Sequence, residues 1–139
     1  MVKWTPSWIS STQPRKKRKY AYNAPLHIRR NIMSANLTKE LHKTYGRRSI
    51  PIRVGDTVKI MRGSLKGKSG KISALDRARY KVYVEGITNY RKDGAKNPRA
   101  LVVSNLMITE LMLEDHKRLD IINRTKPTKK ETKDGKKTS

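Results

Sequence analysis

The sequence predicts a mainly β protein: a small, strongly bent barrel over residues 50–112, preceded by two short helices and set between basic extensions. Three observations lead there. Apolar and polar residues alternate between positions 57 and 85, the period of a half-buried strand. Gly55, Gly63, Gly67, Gly70, Gly86 and Gly94 punctuate those runs at turn spacing. Helical spacing is confined to the segment just before them, and Lys and Arg outnumber Asp and Glu by 34 to 11.

A chain of 139 residues allows one domain of ordinary size, or a smaller one with tails. Hydrophobic residues are 35% of the chain and Phe is absent, so the core is expected to be small and part of the chain to order on a partner. The net charge of +23 would self-repel unless a polyanion neutralised it, and nucleic acid is the default polyanion. Residues 1–50 hold 12 basic side chains against one acid, which places the excess toward the N-terminus. A membrane-surface helix needs a cationic face opposite a bulky apolar one over several turns, and no stretch has both. Zero Cys excludes disulfides, thiolate zinc sites and cysteine nucleophiles. His27, His42 and His116 lack metal-ligand spacing, and no cofactor is expected. Met1–Gln13 is too broken by polar residues for a secretory signal, and no run nears the roughly 20 apolar residues of a membrane span. These features predict a soluble, intracellular protein.

Residues 1–25 contain Pro6, Pro14 and Pro25 and the run Arg15-Lys16-Lys17-Arg18-Lys19, whose adjacent charges predict an extended arm. The run serves equally as a phosphate-contacting arm or a nuclear-localisation patch. Residues 26–49 predict two short helices. Leu26, Ile28 or Arg29, Ile32 and Met33 recur at helical spacing behind Pro25; Asn36 or Thr38 can cap the second helix, Leu37, Leu41 and Tyr45 form its apolar face, and Gly46 supplies a left-handed stop. From Ile50 the period is two. Strands are predicted at 57–61, 71–74, 80–85, 100–104 and 106–111, with Val58, Ile60, Tyr80, Val82 and Val84 inward. Five short antiparallel strands in about 60 residues are too few for a sandwich, which leaves a small barrel. Residues 113–122 carry acids early and bases late, as a short helix or turn requires. Residues 123–139 lack aromatics and predict a disordered tail.

The segment Gly55–Ile72 reads as strand, glycine-rich loop, strand. Gly63, Gly67 and Gly70 permit a tight loop whose amides can approach phosphate oxygens, and Arg62, Lys66, Lys68 and Lys71 add charge to the same surface. It is not a nucleotide-binding P-loop, because three residues instead of four separate Gly63 from Gly67 and a strand follows instead of a helix.

Arg62-Gly63-x-x-Lys66-Gly67-x-x-Gly70-Lys71-Ile72 resembles the KOW motif, an RNA-associated element that opens an SH3-like barrel in ribosomal proteins and in transcription elongation factors of the NusG type. The flanks separate those two. Gln13 to Lys19, Tyr22-Asn23-Ala24-Pro25-Leu26-His27-Ile28-Arg29-Arg30, Tyr45-Gly46-x-Arg48-Ser49-Ile50-Pro51 and Tyr80 to Ile87 resemble the archaeal-eukaryotic form of the universal KOW-motif large-subunit ribosomal protein family, called L twenty-four in bacteria and L twenty-six in eukaryotes. The resemblance spans about residues 13–122. It departs at the Trp4–Ser11 leader and at Ala100–Asn105, where the family usually places histidine-proline before Ser-Asn.

The resemblance implies an early-assembling, cytoplasmic ribosomal component that binds the 5′ region of large-subunit ribosomal RNA beside other ribosomal proteins near the polypeptide exit. A KOW-domain transcription elongation factor is the alternative. The residues expected to contact RNA are Arg15, Lys16, Lys17, Arg18, Lys19, Tyr20, Tyr22, Asn23, His27, Arg29, Arg30, Arg47, Arg48, Arg62, Lys66, Lys68, Lys71 and Arg79. Basic groups would act by counterion release, and Tyr20 and Tyr22 by stacking on unpaired bases. Trp4 and Trp8 suit either stacking or packing on a neighbour. Asp56 most simply fixes the turn into its strand. The acids are scattered with no nucleophile nearby, so no enzyme is expected.

Overall fold

The computed structural model describes residues 4–7 and 11–124. The expected residue Trp8 and the tail from 125 onward lie outside the described residues. In chain order the elements are α1 Pro14–Asn23, α2 Leu26–Ile32, β1 Ser34–Leu37, α3 Lys39–Tyr45, β2 Ser49–Pro51, β3 Thr57–Ile60, β4 Ser69–Asp76, β5 Lys81–Val84, β6 Thr88–Tyr90, β7 Lys96–Pro98, β8 Leu101–Val102, β9 Leu106–Glu110 and α4 His116–Asn123. A 3-10 turn, Val103–Asn105, joins β8 to β9. The protein is mainly β, as the alternation predicts. Seven strands form one mixed sheet in the order β2-β1-β9-β3-β4-β5-β8, and β6 and β7 form a separate hairpin. The sheet is open, with β2 and β8 at its edges.

Four of the five residues predicted inward are in the core: Val58, Ile60, Val82 and Val84 are buried, join Ile72, and meet Leu106, Ile108 and Val103 from the far end of the chain. Tyr80 departs from that set: it precedes β5, is half-buried, and has a left-handed backbone with φ 56°. β4 bends at a bulge where Ile72 pairs with Val84 but Ala74 pairs with Tyr83. Gly70 serves β4 by close approach, because a Cβ there would lie 2.9 Å from both the Glu85 carbonyl oxygen and a Val84 methyl.

Helix α3 forms as its signals predict. The Thr38 hydroxyl accepts a hydrogen bond from the Leu41 amide, and Gly46 closes the helix at φ 65°. The apolar stripe also packs as expected, since Leu37 is in the core and Leu41 and Tyr45 lie against it. Leu37, however, belongs to β1 and not to the helix. β1 runs parallel to β9, with Asn36 opposite Met107, and antiparallel to β2. Neither partner is a sequence neighbour across a tight turn, and Ser, Ala and Asn carry little strand preference, so tertiary pairing overrides local pattern here.

The extended arm expected before residue 25 is helical over Pro14–Asn23. Pro14 suits the first turn, and Arg, Lys and Ala are good helix formers whose charges stay exposed to screening solvent. Tertiary contacts hold its C-terminal end: the Tyr80 hydroxyl donates 2.6 Å to the Ala21 carbonyl, and Trp4 packs against Tyr20 with ring centroids 5.3 Å apart and planes tilted by 44°.

Helix α4 is anchored by two ion pairs. Asp115 caps it, accepting from the Lys117 amide, and pairs with Arg53 at the surface. Partial desolvation pushes the Asp115 carboxyl up, but the Lys117 amide and the Arg53 guanidinium outweigh it and hold the group below the usual carboxylate range. The second pair is buried. Arg118 Nη1 donates 2.6 Å to Asp56 Oδ1 and Nη2 donates 2.7 Å to Oδ2, a bidentate contact between side chains 3% and 0% exposed. Asp56 also accepts from the Arg53 and Met112 amides. It therefore fixes the turn into β3 as expected, and in addition locks α4 onto the sheet.

Candidate nucleic-acid interface

The strand β4 separates two groups that hold most of the expected contact residues. The loop 61–68 precedes it and the turn 77–80 follows it, so eight strand residues, roughly 25 Å, separate them.

At the first end, Arg62, Lys66, Lys68 and Lys71 are all exposed. Gly63 and Gly67 adopt φ of 90° and 92°, which only glycine takes readily. The loop's amides are used differently from the expectation. Lys66 donates to the Gly63 carbonyl, Gly67 to Ile60 and Lys68 to Leu65, so these three amides rigidify the loop instead of facing a phosphate. Side-chain charge is what this corner presents. A cleft between the loop and β8 brings Arg62 together with Arg99, which sequence reasoning had not selected.

At the second end, α1 packs beside the turn 77–80. Arg15, Lys16, Lys17, Arg18 and Lys19 are exposed along the helix, and Arg18, Lys19, Tyr22 and Asn23 line one cleft with Arg79 and Tyr80. Arg29 organises that cleft from below. Its guanidinium donates to the carbonyls of Ala24 at 2.8 Å, Tyr22 at 2.5 Å and Ala78 at 3.4 Å, and lies over the Tyr80 ring at 5.9 Å. Burial raises the Tyr80 hydroxyl above its ordinary pKa, with Arg29 pulling the other way. Arg29 is thus engaged with the protein's own backbone, and Tyr20 with Trp4, whereas the Tyr22 ring is 80% exposed.

The remaining expected residues lie elsewhere. His27 is exposed on α2, Arg30 lines a hollow with Arg53 and Arg77, and Arg47 and Arg48 join α3 to β2. A further basic element was missed. The β6–β7 hairpin carries Arg91, Lys92 and Lys96, all exposed, with Lys96 over the Tyr90 ring at 5.7 Å. Its signal was present in the sequence: Asp93-Gly94 between basic flanks is a hairpin dipeptide, and Gly94 has φ 79°. Among the described residues, no three His, Asp or Glu side chains converge as a metal site requires, and no helix is long and apolar enough to cross a membrane.

A cationic helix, a cationic glycine loop and a basic hairpin on one small β scaffold define the class as a polyanion-binding structural protein. Residues 11–125 match the family of eukaryotic ribosomal proteins L twenty-six and archaeal ribosomal proteins L twenty-four, and the chain belongs to that family. The large ribosomal subunit protein uL24 of Methanocella arvoryzae is 49% identical over 116 residues, covering 84% of this chain and 94% of that protein. The resemblance read from the KOW motif and its flanks is borne out, and nothing in these matches favours the elongation-factor alternative.

Proposed function

We propose that this chain is a structural component of the large ribosomal subunit that grips the 5′ region of its ribosomal RNA from two sides and catalyses nothing. The observation that carries the ribosomal role is the family match across residues 11–125. Ribosomal RNA and neighbouring ribosomal proteins are its partners, and the ribosome places it in the cytoplasm. The position near the polypeptide exit and the early step in assembly rest on the family resemblance.

The two grips are assigned by exposure and charge. Arg15–Lys19 with Tyr22, Asn23 and Arg79 form one; Arg62, Lys66, Lys68 and Lys71 form the other; His27, Arg30, Arg47 and Arg48 lie outside both as additional contacts. Arg29 and Tyr20 support the first grip through its backbone and its packing. An SH3-like barrel is the reading of the β3-β4-β5-β8-β9 meander. Its support is that β8 and β9, at opposite ends of that five-strand run, are joined by only the three-residue turn Val103–Asn105, and that β4 bends at its bulge.

Filter binding to a 5′ fragment of large-subunit RNA, in competition with a 3′ fragment, tests the reading. For 6 to 10 phosphate contacts, affinity should fall by about 10³ to 10⁵ between 50 and 200 mM salt, and Lys16→Ala should lower the salt slope by about one. Equal affinity for both fragments would remove the 5′ assignment, and a flat salt response would remove the electrostatic mechanism.

A further inference from the structure

The cleft between α1 and the turn 77–80 has a floor and a rim of different chemistry. Ala21 and Ala78 line it with no side chain beyond a methyl group, and beside them the Tyr80 ring is held by its hydroxyl bond to the Ala21 carbonyl. Arg18, Lys19 and Arg79 stand around this floor, and no acid lines it. The nearest acid in sequence, Asp76 at the end of β4, is engaged by the turn itself, accepting from the Ala78 and Arg79 amides at 3.0 Å each. On the open side the Tyr22 ring presents its surface to solvent, 80% exposed.

The cleft is also fixed in shape before anything enters it. Tyr80 keeps a left-handed backbone that a non-glycine residue adopts only against a steric cost, and it keeps it where its ring and hydroxyl tie the turn to α1. Arg29 binds carbonyls from both walls, Tyr22 on the helix side and Ala78 on the turn side. A shallow, open site with small apolar floor residues, one presented aromatic ring and a rim of cations matches a planar base attached to a phosphodiester. A paired RNA helix does not fit that description, since its bases are already stacked and its deep groove admits no side chains.

We propose, building on the RNA-binding reading above, that this cleft holds one unpaired nucleotide of RNA, with its base stacked on Tyr22 and its flanking phosphates on Arg18, Lys19 and Arg79. The base rests against the Ala21–Ala78 floor, and Arg29 acts as a positioning residue that keeps the two walls at their spacing. Stacking and charge then make separable contributions, because only charge pairing responds to salt.

The test uses the full chain, RNA extracted from large subunits, Tyr22→Ala, Tyr22→Phe and Arg79→Ala, and reads affinity against salt together with chemical probing of unpaired nucleotides. Tyr22→Ala should weaken binding about tenfold with an unchanged salt slope, and should unmask one or two unpaired nucleotides while duplex protections persist. Tyr22→Phe, which keeps the ring, should restore both the affinity and the protection. Arg79→Ala should lower the slope by about one. An unaltered affinity and protection pattern in Tyr22→Ala would overturn the nucleotide cleft while leaving the ribosomal reading intact. So would displacement from the cleft, read as loss of that protection, by an acidic peptide at equal charge. Failure of the unsubstituted chain to bind the RNA would instead remove the reading on which the cleft depends.

Discussion

Replacing Arg118 with Met probes the contact that ties α4 to the turn into β3 across 62 residues of sequence. The substitution keeps most of the apolar stem and deletes the guanidinium. Asp56 would keep its two amide donors, from Arg53 and Met112, but would hold a carboxylate at 0% exposure without its cation. Breaking one side of a buried pair costs about 3 to 5 kcal/mol. One feature offsets this slightly: Arg118 Nε is itself buried without a partner, so its removal also relieves a desolvated donor. The expected loss is therefore near the lower end, about 3 kcal/mol, a large share of the roughly 5 to 15 kcal/mol that holds a domain folded. The surface pair supplies the control. Arg53 and Asp115 are about a third exposed and screened by solvent, so Arg53→Met should cost only a small fraction of that loss. Urea unfolding followed by far-ultraviolet circular dichroism in high salt measures both, and adding Asp56→Asn completes a double-mutant cycle. The double variant should lose clearly less than the sum of its parts. An Arg118→Met loss as small as that of Arg53→Met, or strict additivity in the cycle, would refute the buried-clamp argument.

Gly70→Ala should destabilise by roughly 1 to 3 kcal/mol in the same urea assay, because the new Cβ meets the Glu85 carbonyl at 2.9 Å and backbone cannot swing aside as a side-chain tip can. Tyr80→Phe removes the bond to the Ala21 carbonyl and should cost about 1 kcal/mol, read most directly as faster proteolysis within α1. Burial of the same hydroxyl sets an alkaline limit. The folded-state pKa of Tyr80 is raised, so the folded chain holds the proton more tightly than the unfolded one; this stability is complete below the unfolded value of about 10 and is lost as pH rises through the folded value. Tyr80→Phe should flatten that alkaline loss, which a pH series of urea midpoints would show.

How far the sequence reveals this structure depends on whether a feature is written in neighbouring residues. Val58, Ile60, Val82 and Val84 announce their strands by alternation, and Thr38 and Gly46 announce both ends of α3 by capping chemistry. The pairing of β1 with β9 has no local signature, because Ser34–Leu37 becomes a strand only when Met107 and Ile108 arrive beside it. Five adjacent charges hide helix α1, whose Pro14 start and Tyr80 anchor outweigh their repulsion. Asp56 reads correctly as a turn residue, yet its partner Arg118 sits in a stretch of charge that looks like solvated surface. For the candidate interface, the sequence selects residues by type alone. It cannot distinguish Arg29, spent on three carbonyls, from Arg79 on the cleft rim, or Tyr20 packed on Trp4 from Tyr22 open to solvent.

The central claim is that this chain works as a structural part of the large ribosomal subunit, held there through its basic surface by RNA. Sucrose-gradient sedimentation of cell extract, with the chain detected in every fraction, tests it most directly. The chain should travel with the large-subunit peak at moderate salt, in stoichiometric amount, and be released only at high salt. Recovery at the top of the gradient as free protein, or in fractions with RNA polymerase, would contradict it.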